Sequence, residues 1–140
     1  MPQFQLNTNR NLSLSEFEAG YVEAMFFTNG DCGDDNENLL NELGTERLTR
    51  SALKSIKADC NAFLGVIMPD GCFVRQWLDR CEDYDDSQAG RDFWFTRNGH
   101  GVGFWDREEL EGELGTELTN AAKRFREINC QVSRGWIYHD

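Results

Sequence analysis

Apolar residues recur at helical spacing through much of the first two thirds of the chain. Leu14, Phe17, Tyr21, Ala24, Met25 and Phe26 repeat every three or four positions, and Ser15 followed by Glu18 has the spacing of an N-terminal capping box, so a helix is expected from Leu14 to Phe27. A second, stronger stripe of Leu53, Ile56, Cys60, Phe63, Leu64 and Ile67 predicts a helix over Ser51–Met68, with a shorter one around Leu39, Leu40 and Leu43 before it. Pro69-Asp70-Gly71 punctuates the pattern. Phe73, Val74, Trp77, Leu78, Cys81 and Tyr84 then predict a helix reaching Tyr84.

The pattern changes at Gly90–Asp106, GRDFWFTRNGHGVGFWD, where aromatic and β-branched residues flank Asn98-Gly99, a dipeptide suited to tight hairpin turns. A β-hairpin is the expectation. With a two-residue loop Phe93 faces Phe104; with a four-residue loop Phe95 does. Either parity puts Phe93, Phe95, Val102 and Phe104 on one buried face and Trp94, Thr96, Gly103 and Trp105 on the other. There Trp94 or Trp105 would cover the bare backbone of Gly103. Leu114, Leu118, Ala121, Ala122, Phe125 and Ile128 predict a last helix, with Glu113 and Glu117 early and Lys123, Arg124 and Arg126 late, as the helix dipole favours. Cys130-Gln131-Val132 and Trp136-Ile137-Tyr138 read as strand, turn and strand. The expected fold is α+β: a single domain over residues 1–140, with a polar lead-in (1–12), a mainly helical layer (14–84), and a small, mostly antiparallel C-terminal sheet built as hairpin, helix, hairpin (91–140).

Twelve per cent aromatic residues in 140 positions supply enough buried area for one core. Twenty-five acids against fourteen Lys and Arg give a net charge of −11, which repels phosphate backbones and anionic lipid, so direct nucleic-acid binding is not expected. The apolar runs are too short for a signal sequence or a membrane span, which points to the cytoplasm as the working compartment. Five cysteines with no Cys-x-x-Cys pair fit free thiols better than a disulfide framework.

Candidate chemistry is sparse. The loop Asn29–Asn38 is acid-rich, but no frame through it supplies the alternating oxygens, sixth-position Gly and twelfth-position Glu of a calcium loop. Two histidines and scattered cysteines provide no zinc-ligand pattern, and no cofactor motif is present, so no metal, cofactor or catalytic residue is assigned. Pairing of Cys81 or Cys130 with His100 as base has no local support. The repeated ELGTE at Glu42–Glu46 and Glu113–Glu117 is too short to define a repeat architecture. Arg97, Asn98 and His100, with Trp94 and Trp105 nearby, form the segment closest to a ligand site, although tight turns use the same residues and no phosphate-loop context surrounds them.

Charge distribution carries more. Acids concentrate in Asp31–Glu46, Asp79–Asp92 and Asp106–Glu117, six in each, whereas Arg47, Arg50, Lys54 and Lys57 form a basic patch. If the acidic stretches converge, Asp83, Asp85, Asp86, Glu108, Glu109 and Glu111 would present an anionic surface suited to a basic groove on another protein.

The segment Asp92–Asp106, DFWFTRNGHGVGFWD, resembles a family of short, functionally unassigned bacteriophage proteins. So do an Asp59-Cys60-x-x-Phe63 element, the amphipathic first helix, the helix after the motif and the strand ending in Ile137-Tyr138. The resemblance implies a phage origin and brings no catalytic residue with it; residues 29–50 show no family pattern. The expectation is a non-enzymatic accessory protein that binds and modulates a host defence, transcription or nucleic-acid-processing factor. A small enzyme or nucleotide binder at Arg97 and His100, and a virion or assembly component, are the alternatives.

Overall fold

The computed structural model describes residues 13–29, 47–107, 110, 113–128 and 130–139. Their elements in order are α1 (Glu16–Asn29), α2 (Arg50–Leu64), α3 (Val74–Asp79), α4 (Asp86–Arg97), a 3-10 turn (Phe104–Asp106), α5 (Leu114–Lys123), β1 (Cys130–Ser133) and β2 (Trp136–His139). The architecture is α+β, mostly helical with one two-stranded antiparallel sheet at its C-terminal end. The expected short helix near Leu39–Leu43 and the acidic loop after Gly30 lie outside the described residues.

The capping box forms as the sequence predicts. Glu18 N–H donates to Ser15 Oγ (3.1 Å) and Ser15 N–H to Glu18 Oε1 (2.9 Å), so two orphan donors are satisfied at the start of α1. Helix α2 begins one residue earlier than expected, with Thr49 Oγ1 accepting from Ala52 N–H (2.9 Å). It ends at Leu64 rather than Met68 because residues 66–68 turn extended and pair with 72–74: Met68 N–H reaches Cys72 O (2.8 Å) and Val74 N–H reaches Val66 O (2.9 Å). The next helix is correspondingly short, stopping at Asp79, five residues before Tyr84. Helix α5 starts at Leu114 as expected and stops at Lys123, leaving Phe125 and Ile128 packed on the core from the segment beyond it.

The largest departure is at Gly90–Asp106. Its first half is helix α4, and no hairpin forms there. Asn98 has φ −98° and Gly99 φ +69°, so only the second residue takes the left-handed conformation, whereas a type I′ turn needs both. Gly99 N–H donates to Thr96 O (3.2 Å) and His100 N–H to Phe95 O (3.0 Å), the two bonds of a Schellman helix stop, with the Phe95 and His100 rings in edge contact at 5.9 Å beside it. The predicted common face dissolves. Phe93 and Phe104 are buried, but Phe95 is half-buried and Val102 exposed; Trp94 is buried and Trp105 exposed. Trp105 does cover Gly103, where a Cβ would collide with its ring.

Helices α1 and α4 form the centre of the molecule. A methyl group at Gly20 would overlap the Ser87 carbonyl, and one at Gly90 the Phe17 carbonyl, so glycine at these two sites lets the backbones touch. Around them Phe63 stacks on Phe93 (4.3 Å, 11°) and on Phe104 (5.7 Å), with Phe125 edge-on to Phe93 (5.1 Å). The expected C-terminal hairpin is present: Cys130 pairs with His139 and Ser133 with Trp136, joined by Arg134 (φ +53°) and Gly135 (φ +80°) in the doubly left-handed geometry a two-residue hairpin loop requires. Leu48 bridges Ile137 in parallel, which fastens β2 to the start of α2.

Candidate functional site

Two arginine–aspartate centres hang from α4. At its C-terminal end Arg97 is buried, its side chain 5% exposed. Nη1 donates to Asp59 Oδ2 of α2 (2.7 Å) and to Tyr21 Oη of α1 (3.1 Å), while Nε and Nη2 both reach the Arg126 carbonyl (3.0 and 2.8 Å). The guanidinium also lies over the Phe93 and Phe125 rings at 5.5 and 5.7 Å, a cation–π sandwich that offsets part of its desolvation.

Tyr21 passes this network to His139 on β2. Burial pushes the phenol far above its ordinary range, so it keeps its proton. Its oxygen accepts from Arg97 and shares a hydrogen bond with His139 Nε2 (2.6 Å), and His139 Nδ1 shares one with Ser55 Oγ (2.8 Å). Burial first, and then the Arg97 charge, lower the His139 pKa to about 4. The Arg97–Tyr21–His139–Ser55 chain is a continuous run of hydrogen bonds between elements. It ties α1, α2, α4 and β2 together.

Asp92, one and a half turns earlier on α4, is the inverse case: a fully buried anion. It accepts from Arg107 Nε and Nη2 (2.9 and 2.8 Å), from Gln88 Nε2 (3.1 Å) and from the Tyr84 hydroxyl. Burial and the neighbouring carboxylate raise the Tyr84 pKa, and the bonds to Asp92 raise that of Arg107. This centre opens outward. A half-open depression of about 160 Å³ is lined by Asp83, Tyr84, Asp85, Gln88, Arg91 and Arg107, well below the several hundred Å³ that enclose a nucleotide-sized ligand.

The sequence-derived candidates divide accordingly. Arg97 and His100 engage different neighbours, Arg97 the core network and His100 the Phe95 edge, so the segment does not assemble as a cation beside an imidazole. Asn98 closes the helix, its Nδ2–H donating to Trp94 O (3.0 Å) and its Oδ1 accepting from Ile128 N–H (2.9 Å). Trp94 Nε1–H donates to Thr28 Oγ1 (2.7 Å). Asp85 caps α4 by accepting from Gln88 N–H (2.8 Å), and Asp86 forms a bidentate pair with Arg75 (2.7 and 3.0 Å). Glu82 and Asp83 are exposed. Glu108, Glu109 and Glu111 lie outside the described residues. On α2, Arg50, Lys54 and Lys57 fall four and three residues apart, on one side of the helix, and Lys57 Nζ reaches Ser13 O (3.3 Å).

Asp59, Asp92, Tyr84, Arg107 and His139 were not legible as site residues, being joined across 8 to 118 positions of sequence. One signal did exist. The Asp59-x-x-x-Phe63 element and the Asp92–Asp106 motif pack on each other through Asp59–Arg97 and Phe63–Phe93. Among the described residues no group of three or more His, Cys, Asp or Glu is placed to hold a metal ion, and no helix is long and apolar enough to cross a membrane. Cys60, Cys72 and Cys81 are free thiols.

No family model matches the sequence, and neither a curated protein nor a solved structure is significantly similar to it.

Proposed function

We propose that this chain is a non-enzymatic accessory protein, phage-encoded, that binds a host protein through an acidic surface fitted to a basic, nucleic-acid-binding groove. The observation that carries the reading is the group of acids beside the Asp92 centre, where Asp83 and Asp85 line the same depression as Arg107, itself held on Asp92. The turn between α3 and α4 displays Glu82 and Asp83 outward, while the charges inside, Asp92 and Arg97, are consumed in holding helices together. Displayed acids of this kind accelerate encounter with a cationic surface and compete there with phosphates. The phage origin rests on the resemblance of the Asp92–Asp106 motif.

Capture of a specific host protein from lysate, repeated from about 0.05 to 0.5 M salt, tests the reading. Binding should weaken as salt rises, and a Glu82→Lys/Asp83→Lys variant should lose most of it, because neither side chain holds the fold. Capture that is indifferent to both salt and charge reversal would remove the proposal.

A further inference from the structure

Next to the acidic turn the chain exposes a pair of large apolar side chains in a rigid setting. Residues 66–68 and 72–74 form a miniature antiparallel ribbon in which Ile67 and Phe73 are directly bridged. Opposed residues of such a pair project from the same face. Met68 and Val74 point into the core, whereas Ile67 is 60% and Phe73 46% exposed. The setting is braced on every side: Gly71 N–H donates to Met68 O (2.9 Å), Asp70 Oδ1 accepts from both Cys72 N–H and Trp77 Nε1–H (2.9 Å each), and Phe73 N–H donates to Gln76 Oε1 (2.8 Å).

Two paired, exposed apolar side chains on a fixed frame need no ordering on binding, which removes one of the main costs of association. The surroundings specify the partner's charge. From 66 to 86 the chain carries six acids and two arginines. Of these arginines, Arg75 is committed to Asp79 and Asp86, and Arg80 lies against Cys72 Sγ (3.6 Å). Helix α3, six residues long, separates Phe73 from Asp79 by only about 9 Å.

We infer that the Ile67–Phe73 ribbon is the anchor of an interaction surface for a basic amphipathic segment of another protein, one presenting apolar side chains flanked by Lys or Arg. Ile67 and Phe73 supply the desolvated centre and the acids of 70–86 the polar rim, the usual division between affinity and steering. A second copy of this chain docked face to face is the wrong occupant, since it would bring the same negative rim against itself. The inference rests on the proposed acidic-surface reading and adds to it the place where partner affinity resides.

The full chain is titrated with two synthetic peptides of equal positive charge, each about five helical turns long: one a Leu/Lys amphipathic helix, the other with every Leu replaced by Ser. The Leu/Lys peptide should bind at least about tenfold tighter, and Ile67→Ser/Phe73→Ser should erase that advantage while leaving the weak, salt-sensitive binding of the Ser/Lys peptide intact. Thermal unfolding of the variant, expected unchanged because both side chains are exposed, separates loss of contact from loss of fold. If it shifts, the milder Phe73→Leu variant with Ile67 kept should give an intermediate affinity at wild-type stability. Equal affinity for the two peptides overturns the apolar anchor and leaves the acidic reading standing, as does a Leu/Lys preference that survives the double variant. Failure of both peptides to bind overturns the acidic reading as well.

Discussion

The middle and the C-terminal end of α4 carry the same pair of residue types in opposite senses. At Arg97 the cation is buried and its acid, Asp59, is 28% exposed; at Asp92 the anion is fully buried and its base, Arg107, is 27% exposed. The first centre faces inward to Tyr21, His139 and the Arg126 carbonyl, so every strong donor of Arg97 is spent on joining elements. The second opens on the depression beside the α3–α4 turn, where the surrounding acids meet solvent. What separates a fold-holding charge pair from one at the edge of an interaction surface is therefore which partner is buried and what the exposed partner stands next to.

The asymmetry has consequences for stability. A guanidinium cannot shed its proton in a protein, so stranding Arg97 cannot be relieved by neutralisation. Asp59→Ala is expected to cost about 3–5 kcal/mol, the usual penalty for breaking a buried pair, read from urea unfolding. Arg107→Met strands Asp92 instead, which retains the Tyr84 and Gln88 donors. We expect a smaller loss, about 2–3 kcal/mol. If the Arg107 loss equals or exceeds the Asp59 loss, the contrast between the centres is wrong.

His139 sharpens the same contrast. Its folded pKa of about 4 lies below the value of 6.5 for an unperturbed imidazole, so the unfolded chain takes the proton first. Its contribution to stability is complete above about pH 6.5 and is lost progressively as the pH falls through the folded value. Melting temperature should therefore decline between about pH 6.5 and 5, where ordinary carboxylates are still ionised, and His139→Gln should flatten that slope. The smallest effect expected is for His100→Ala: a change within about 0.5 kcal/mol by urea unfolding, since the ring only edges against Phe95 at the helix stop.

How far the sequence carried these conclusions depended on the locality of each signal. Ser15 with Glu18, the Leu53–Phe63 stripe, the Leu114–Ala122 stripe and the Arg134-Gly135 hairpin loop are all set by neighbours a few residues apart, and each was legible. Helix α4 was not, for a physical reason. Ala89, Gly90, Asp92, Phe93, Trp94, Thr96 and Arg97 are all buried, so the helix shows no polar face and hence little 3.6-residue periodicity. Aromatics then suggested strand, and a left-handed glycine that stops a helix looked like one that turns a hairpin. The candidate site suffered similarly. Arg97 stood out by its company of glycines, but its true partners, Asp59, Tyr21 and His139, are remote in sequence, and Asp92 was hidden in a chain where acids are everywhere. The outward, acidic character of Glu82 and Asp83 was legible through charge clustering, although the sequence placed them in a helix, and Asp85 and Asp86 within the same cluster serve as a cap and an ion-pair partner.

The division of labour between the Asp92 and Arg97 centres is tested most directly by amide hydrogen exchange on the complex with whichever protein is captured. Protection gained on binding should fall on residues 79–86 and on the 66–74 ribbon, with the amides of 97–103 exchanging as in the unbound chain. Protection centred on 97–103, with the α3–α4 turn and the ribbon unaffected, would contradict the account and return the site to the Arg97–His100 loop.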